Sequence, residues 1–479
     1  MLRHFVRIWV LPVLVAGVTL LLTVCSRNLG AQGLFGSISG TVIDPSGGVV
    51  AGATVKVTNI DTNVTTTWKT NSAGVYIATS LNPGNYRVEA SMTGFKTAVA
   101  NNVLLEVNSN PKVILTLSVG QVTETVEVTA ENTPILQTQQ TDLGQTVSST
   151  RLEQLPTQSG TGRSPYNFLV LAPGVSQQFG CSGGGGGVGG CGNDGNVRIS
   201  GSRPRNDDNI LDGTSITPPV FGGQGVHPTV EAIQEFRIEQ NSMSAEYGKA
   251  GGAIIIQVSK SGTDHFHGSA YAYNRNQKLD AKNFFVDPGQ PKNPFTYNEF
   301  GGSIGGPVIK SKFFFFTDYE AIRSHGTTPS AGVIVPDSNF RSGNLGTLCS
   351  EGFTNGVCNN PAHQIYFPGT ANPVPNNVIT SISPVSAAIE EVWPTGGTAV
   401  GPGEESLTVN LPNSTSLNRF NPRVDWNLSQ ADHIFGAVHT EYGVFHSNLM
   451  NPGPSGRQSS RAANYAITVG ETHTLVQPH

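Results

Sequence analysis

Residues 419–428 read RFNPRVDWNL. Phe420, Pro422, Val424, Trp426 and Leu428 alternate with Arg419, Asn421, Arg423, Asp425 and Asn427, so an extended backbone places the apolar set on one face and the charged and amide set on the other. Lipid outside and a wet lumen inside account for that split, and the length fits a transmembrane β-strand of roughly 9–11 residues. A sandwich strand would also alternate, so the neighbours decide. The next stretch, 433–442, keeps the phase, with Ile434, Val438 and Tyr442 outward and His439 and Glu441 inward.

Working outward, candidate strands fall at 264–274, 297–305, 312–322, 419–428, 433–442 and 462–473. Their joins alternate in length: 275–296, 323–418 and 443–461 are long, and 306–311 and 429–432 are short. Bacterial barrels have long external loops and short periplasmic turns, which sets the phase of the first strand as outward-running. His265 and His267 share a face of that strand; polar lumen residues are the favoured reading over a metal pair. Six strands do not close a barrel of the size that the resemblance given below implies, about 22 strands around a plug, so the barrel is expected to be incomplete and the sequence truncated at its C-terminal end.

Composition agrees with a mainly β, multidomain protein. Charged residues make up 13% of 479, with 57 Gly and 30 Pro, about half the charge of an ordinary globular protein. A net charge of -5 and the absence of a basic, aromatic-interleaved patch argue against a nucleic-acid partner. At the N-terminus Arg3, His4 and Arg7 precede an apolar run, 8–24, and Leu29, Gly30 and Ala31 offer a cleavage site, so 1–31 reads as a secretory signal peptide. Val24 stands where a lipoprotein needs a small residue before Cys25. In an exported protein the pairs Cys181 with Cys191 and Cys349 with Cys358 are expected to form two short-loop disulfides.

Residues 32–120 alternate with period two between turns such as 44–48 and 71–74, which implies a small antiparallel sandwich. Next comes QVTETVEVTA at 121–130, β-branched and then broken at Glu131, Asn132 and Pro134. It reads either as a last sandwich strand running into a linker or as a recognition strand for a foreign sheet edge. Residues 135–263 mix short helices, near 150–155 and 167–171, with strands near 143–147, 235–240 and 253–258, an α+β domain. Its Gly-rich run, 180–195, lacks the flanking strand and Lys-bearing helix of a phosphate cradle. Asp207, Asp208 and Asp212 lack the spacing of a calcium loop and read as turn carboxylates. No cofactor, metal or catalytic site is expected, there being neither a His-Glu-x-x-His helix nor a paired-carboxylate site.

Two resemblances add to this. GTVID at 40–44, AGATV at 51–55, GVY at 74–76, LNPGNY at 81–86 and GF at 94–95 resemble the carboxypeptidase regulatory-like domain, a non-catalytic family module. TETVEVTA, VRISGSR, NILDG and AEYGKAGGAIIIQVSKSGT resemble TonB-dependent outer-membrane receptors of the Oar-like group. That resemblance implies a plug at 135–263, a partial outer-membrane β-barrel at 264–479 and a hinge at 121–134. It implies that Glu124, Thr125, Val126, Glu127, Val128, Thr129 and Ala130 form a TonB box, captured by a TonB-type energy-coupling protein. Arg198, Gly201, Asp212 and Gly213 fall on the plug's Arg-Gly and Leu-Asp-Gly positions, and Tyr247, Gly248, Gly251 and Gly252 on its Tyr-Gly and Gly-Gly motif. The implied partners are that protein, outer-membrane lipid and an extracellular ligand, an oligosaccharide or a peptide among the classes left open; the N-terminal domain would lie in the periplasm. Gln240, Asn241 and Ser242 stand where many transporters carry Arg-Gly-Pro, so siderophore specificity is not carried over. The competing reading is a surface adhesion or assembly protein without active transport.

Overall fold

The computed structural model describes residues 35–120, 125–128, 143–154, 162–177, 197–204, 206–220, 222–240, 247–282, 291–391, 395–448 and 457–474. The leader, the 180–195 run with Cys181 and Cys191, and Glu124, Thr129 and Ala130 lie outside them.

The first unit runs through β1 (Gly36–Ile43), β2 (Thr54–Asn59), β3 (Thr65–Lys69), β4 (Val75–Leu81), β5 (Gly84–Ser91), β6 (Thr97–Leu105), β7 (Leu115–Thr116) and β8 (Thr125–Val128). Two sheets face each other, β4-β1-β7 and β3-β2-β5-β6-β8. Alternation does the sorting: Val55, Val57, Tyr76, Ala78, Val88 and Ala90 point into a shared core while their neighbours meet water. Polar turns separate the strands, with the Asp44 carboxylate accepting from Ser46 and Gly48 N–H and Asn71 accepting from Ala73 and Val75. Two joins depart from the antiparallel expectation, since β7 runs parallel to β1 and β8 parallel to β6. The second puts the middle of the expected hinge on the sandwich itself.

The middle unit contains β9 (Leu143–Ser148), α1 (Ser149–Gln154), a 3-10 turn at Pro165–Leu171, β10 (Val175–Gln177), β11 (Val197–Ile199), β12 (Asp207–Leu211), β13 (Thr214–Ser215), β14 (Ile233–Gln240) and β15 (Ala253–Ser259). Its main sheet is ordered β13-β12-β15-β14-β9. The continuous apolar run of β15 is buried at every position, as expected of a strand covered on both faces.

The wall unit consists of β16 (His267–Asn276), β17 (Phe295–Ile309), β18 (Phe313–Pro336), the small hairpin β19 (Phe353–Thr354) and β20 (Val357–Cys358), β21 (Thr398–Gly401), β22 (Glu404–Phe420), β23 (Arg423–Asn427), β24 (Asp432–Asn448) and β25 (Arg457–His473). β22 and β23 behave as one strand interrupted at Asn421 and Pro422, both pairing with β18 and with β24. Strands occur where the alternation placed them, but several are longer. β18 and β22 stay paired from Tyr319↔Phe420 out to Pro336↔Glu404, through both ends of the expected 323–418 connection.

Burial in the wall is the inverse of a soluble sheet. Arg419, Asn421, Arg423 and Asp425 are 1–5% exposed, whereas Phe420, Val424, Trp426 and Leu428 are 41–47% exposed. Ile304, Tyr319, Tyr442, Tyr465, Ile467 and Val469 continue the outward apolar face. Ionic groups face inward onto the middle unit, and apolar ones face outward.

Candidate functional site

The site is the seam between the middle unit and the wall, and its centre is a two-residue turn. β12 and β13 pair as Ile210↔Ser215 and Leu211↔Thr214, which leaves Asp212 and Gly213 as the connection. Both have positive φ, 48° and 82°, the backbone that Asp-Gly adopts readily in a tight hairpin turn. The turn aims the Asp212 carboxylate at the wall. It accepts from Ser259 N–H (2.9 Å) and Oγ (2.7 Å) within the unit. From the wall it meets Arg423 Nη1 at 3.2 Å and His439 Nε2 at 2.9 Å. Burial pushes the Asp212 carboxyl up, but the His439 hydrogen bond and the Arg423 charge outweigh it and hold the group below its ordinary value.

Around this centre the polar groups are joined. Arg423 Nη2 reaches Asp425 at 2.8 Å, and its guanidinium lies over the Phe435 ring. Asn421 donates to Asp318 at 2.8 Å, and Thr229 of the middle unit donates to the same carboxylate at 2.6 Å. A second group sits on the same wall strands: Arg419 bridges Glu320 and Glu441, both at 2.9 Å. His227 of the middle unit meets Glu441 at 3.2 Å. Arg163 stacks on Tyr273, donates to its hydroxyl at 3.1 Å and lies 3.9 Å from Glu231. The wall's inward charges were legible in the alternation. His227 and Thr229, which meet wall carboxylates, and Arg163, which meets Tyr273, carry no local sequence pattern.

The other motif residues divide by role. Gly252 lies so close to Ser202 and the Asn206 carbonyl that a Cβ would come within 2.5–2.8 Å of them. Its N–H donates to that carbonyl at 2.9 Å. Gly251 lies against Asn206, Tyr247 is buried with Ile210, Ile254 and Ile256, and Gly248 has open space beside it. Gly201 has φ +75°, and Arg198 is exposed on β11. Asp207 is held by Tyr166 and Asn209, and Asp208 by Ser215. Gly301, Ser303 and Gly305 have the spacing of a nucleophile elbow but lie mid-strand in β17, where Ser303 bonds Ser269 at 2.9 Å, so the strand-to-helix turn of an elbow is missing there.

A second seam lies at the end of the wall that carries its short turns. There Asn63 of the sandwich donates to Asp264 at 2.9 Å, and Asp264 accepts Ser311 N–H at 2.6 Å. The turn after β6 docks on β14: Val107 N–H donates to Glu235 (2.7 Å) and Asn108 to Glu239 (2.9 Å), with Val107 fully buried among Ile210, Ile254 and Val258. A cavity of about 390 Å³ remains beside this joint, lined by Asn63, Tyr86, Ser259, Ser311, Arg423 and Asp432 among others. At the opposite end the segment between β18 and β22 is closed by a disulfide between Cys349 and Cys358. Those cysteines group with Glu351, but their sulfurs are bonded to each other.

Comparison with known proteins fits these observations. Residues 258–478 match the outer membrane beta barrel domain and residues 37–118 the carboxypeptidase regulatory-like domain. The chain is 26% identical over 298 residues to the TonB-dependent transporter Oar of Myxococcus xanthus, a match covering 59% of this chain and 26% of that protein. These matches make the chain similar to the Oar-like TonB-dependent receptors of the outer membrane and give it an outer-membrane β-barrel domain. Among solved structures, the siderophore receptor PirA from Acinetobacter baumannii overlaps with a TM-score of 0.35 at 15% identity, covering 63% of this chain and 32% of that one. A streptococcal ancillary pilin overlaps at 0.16 and 14%, covering 18% and 32%.

The contacts from Asp212, Thr229 and His227 to the wall are hydrogen bonds and ion pairs, which water can replace one at a time, whereas an apolar seam would separate only by exposing oil-like surface.

Proposed function

We propose that this chain acts in an active outer-membrane transporter, with the middle unit as its plug and the wall as strands of its barrel. A ligand, oligosaccharide or peptide in class, enters past the long joins. An energy-coupling protein of the TonB type then pulls on Glu124–Ala130 from the periplasm, where the sandwich lies, and loosens the plug. No covalent bond is made or broken by the receptor; the work comes through the partner.

The observation that carries this reading is the ionic seam centred on Asp212. Ion pairs across a buried boundary hold only while their geometry is kept, which suits a body that must stay seated and then shift. The test is deletion of 122–130 in the full-length gene product: energised uptake is lost while surface ligand binding persists. Unchanged uptake would remove the mechanism.

One observation favours the second reading, surface adhesion or assembly. The segment between β18 and β22 is an ordered, disulfide-closed body with exposed Tyr366 and Phe367, rather than a simple strand connection. A coupling-protein domain that binds the receptor favours transport, since an adhesin has no need of that contact.

A further inference from the structure

The transport reading leaves open how a pulling partner grips the receptor, and the position of β8 bears on it. Thr125–Val128 is not a loose tether. It lies parallel to β6, paired Thr97↔Thr125, Ala98↔Val126, Val99↔Glu127 and Ala100↔Val128. It is the last strand of the sheet β3-β2-β5-β6-β8, so among the described residues one side of its backbone has no strand neighbour. A strand in that position directs the N–H and C=O of alternate residues outward, which is a template for one more strand. β6 is also the strand that continues, past Leu105, into the turn whose Val107 and Asn108 hold Glu235 and Glu239 of the middle unit. Beyond β14, that unit reaches the wall through Asp212.

We propose that the coupling partner adds an extended strand to the outer edge of β8 while β8 remains on β6, so that the sandwich is part of the docking site and carries the load. This rests on the transport reading and sharpens it. In this arrangement the first domain acts as a clutch. A pull on the added strand draws on β8, passes across four registered residue pairs to β6, and reaches the middle unit at the 106–109 turn. The load therefore reaches the plug's main sheet directly at β14, as well as along the backbone that follows β8. The alternative grip, in which β8 peels off β6 to pair with the partner, would leave the sandwich a passive spacer.

Two features of the geometry favour the added strand. Peeling would remove the ladder already formed with β6 and replace it by an equivalent one, with little net gain in hydrogen bonds. Addition keeps that ladder and makes a second. Presenting the strand already extended also removes most of the ordering cost that a flexible tether would meet on binding.

The experiment locks β8 to β6. Neighbouring strands lie about 4.8 Å apart, within the Cα range of roughly 4.4–6.8 Å that a disulfide spans. Thr97→Cys with Thr125→Cys, a registered pair, is therefore oxidised in the full-length protein, with each single-cysteine variant as control. Binding of the purified periplasmic C-terminal domain of a TonB protein is measured on all three. The expected result is that the locked protein binds within about twofold of the controls. A loss of more than about tenfold in the locked protein alone overturns the proposal and leaves the transport reading intact, because it means that β8 must leave the sandwich. Failure of all three, together with failure of a peptide spanning 120–132, overturns both. Thermal melts of locked and control proteins identify any loss that comes from misfolding; in that event the lock is moved to Ala100→Cys with Val128→Cys, judged by the same criteria.

Discussion

Arg423 of the wall lies 3.2 Å from Asp212 of the middle unit, two residues 211 positions apart in sequence and both almost wholly buried. The pair is backed on both sides, Arg423 by Asp425 and Asp212 by His439 and Ser259. Removing one member therefore strands charge rather than merely deleting a contact. Asp212→Asn keeps an acceptor for Ser259 N–H but leaves Arg423 with one carboxylate for support. A loss of roughly 3–5 kcal/mol is expected for breaking a buried pair, read as a lower melting temperature and faster protease cleavage within 143–259 in detergent-solubilised protein. Asp212→Asn together with Arg423→Met and Asp425→Asn should recover part of the loss, since neither the cation nor the carboxylate behind it is then left without its partner.

The joint between the sandwich and the middle unit should respond to pH. Burial pushes Glu235 up to about 7; Glu106 adds to this, while the Val107 N–H and Arg237 oppose it. A carboxyl whose value is raised on docking favours the docked state most at low pH, below its ordinary 4.5, and loses that advantage as pH rises through about 7. The spacing between spin labels on the first unit and on the wall's short turns should therefore broaden between about pH 5 and about pH 8. Glu235→Gln keeps an acceptor for Val107 without a titrating proton. The broadening should disappear in that variant, and its persistence would assign the effect to another group.

How much of this was legible in the sequence depends on the range of the interaction. The wall strands were readable because alternation is local: Arg419 to Leu428 states which face meets lipid without reference to any other residue. The Asp-Gly turn was visible too, as a turn. What the turn is for was not, because Arg423 and His439 reach Asp212 through strand register and packing that no spacing encodes. β18 outran its expected end because Gly326 and Pro329 look like loop residues, while pairing with β22 overrides them. For Thr125–Val128, the same alternation suits an edge strand on its own sheet and a strand offered to another protein. The structure puts it on the first, and among the described residues no strand pairs with its outer side.

The Cys349–Cys358 bond closes a short loop in the segment between β18 and β22. Around it Gln364 ties Cys358 N–H, the Val374 carbonyl and Asn377 together. Closing a loop of this length restricts the unfolded state by roughly 2–3 kcal/mol. Cys349→Ser with Cys358→Ser should leave the wall's melting temperature nearly unchanged and make 337–403 the first site of protease nicking. Equal protease resistance would mean that the Gln364 and Asn377 hydrogen bonds suffice by themselves.

Neighbouring positions on β23 should give opposite answers to the same substitution. Val424 is 44% exposed and faces outward, whereas Asp425 is 2% exposed and faces the seam. Val424→Lys places a cation against lipid, at a cost of about 2–4 kcal/mol near the bilayer midplane and less toward the interface. It should slow or prevent folding into vesicles, while the same variant is tolerated in zwitterionic detergent, whose headgroups accommodate the charge. Asp425→Lys leaves the lipid face intact and sets a second cation beside Arg423, in a place from which neither charge reaches water. Its defect should therefore appear equally in vesicles and in detergent. A soluble sandwich would give the reverse pattern, with Val424→Lys nearly neutral in either medium, so this comparison tests the assignment of faces on which the reading of the wall depends.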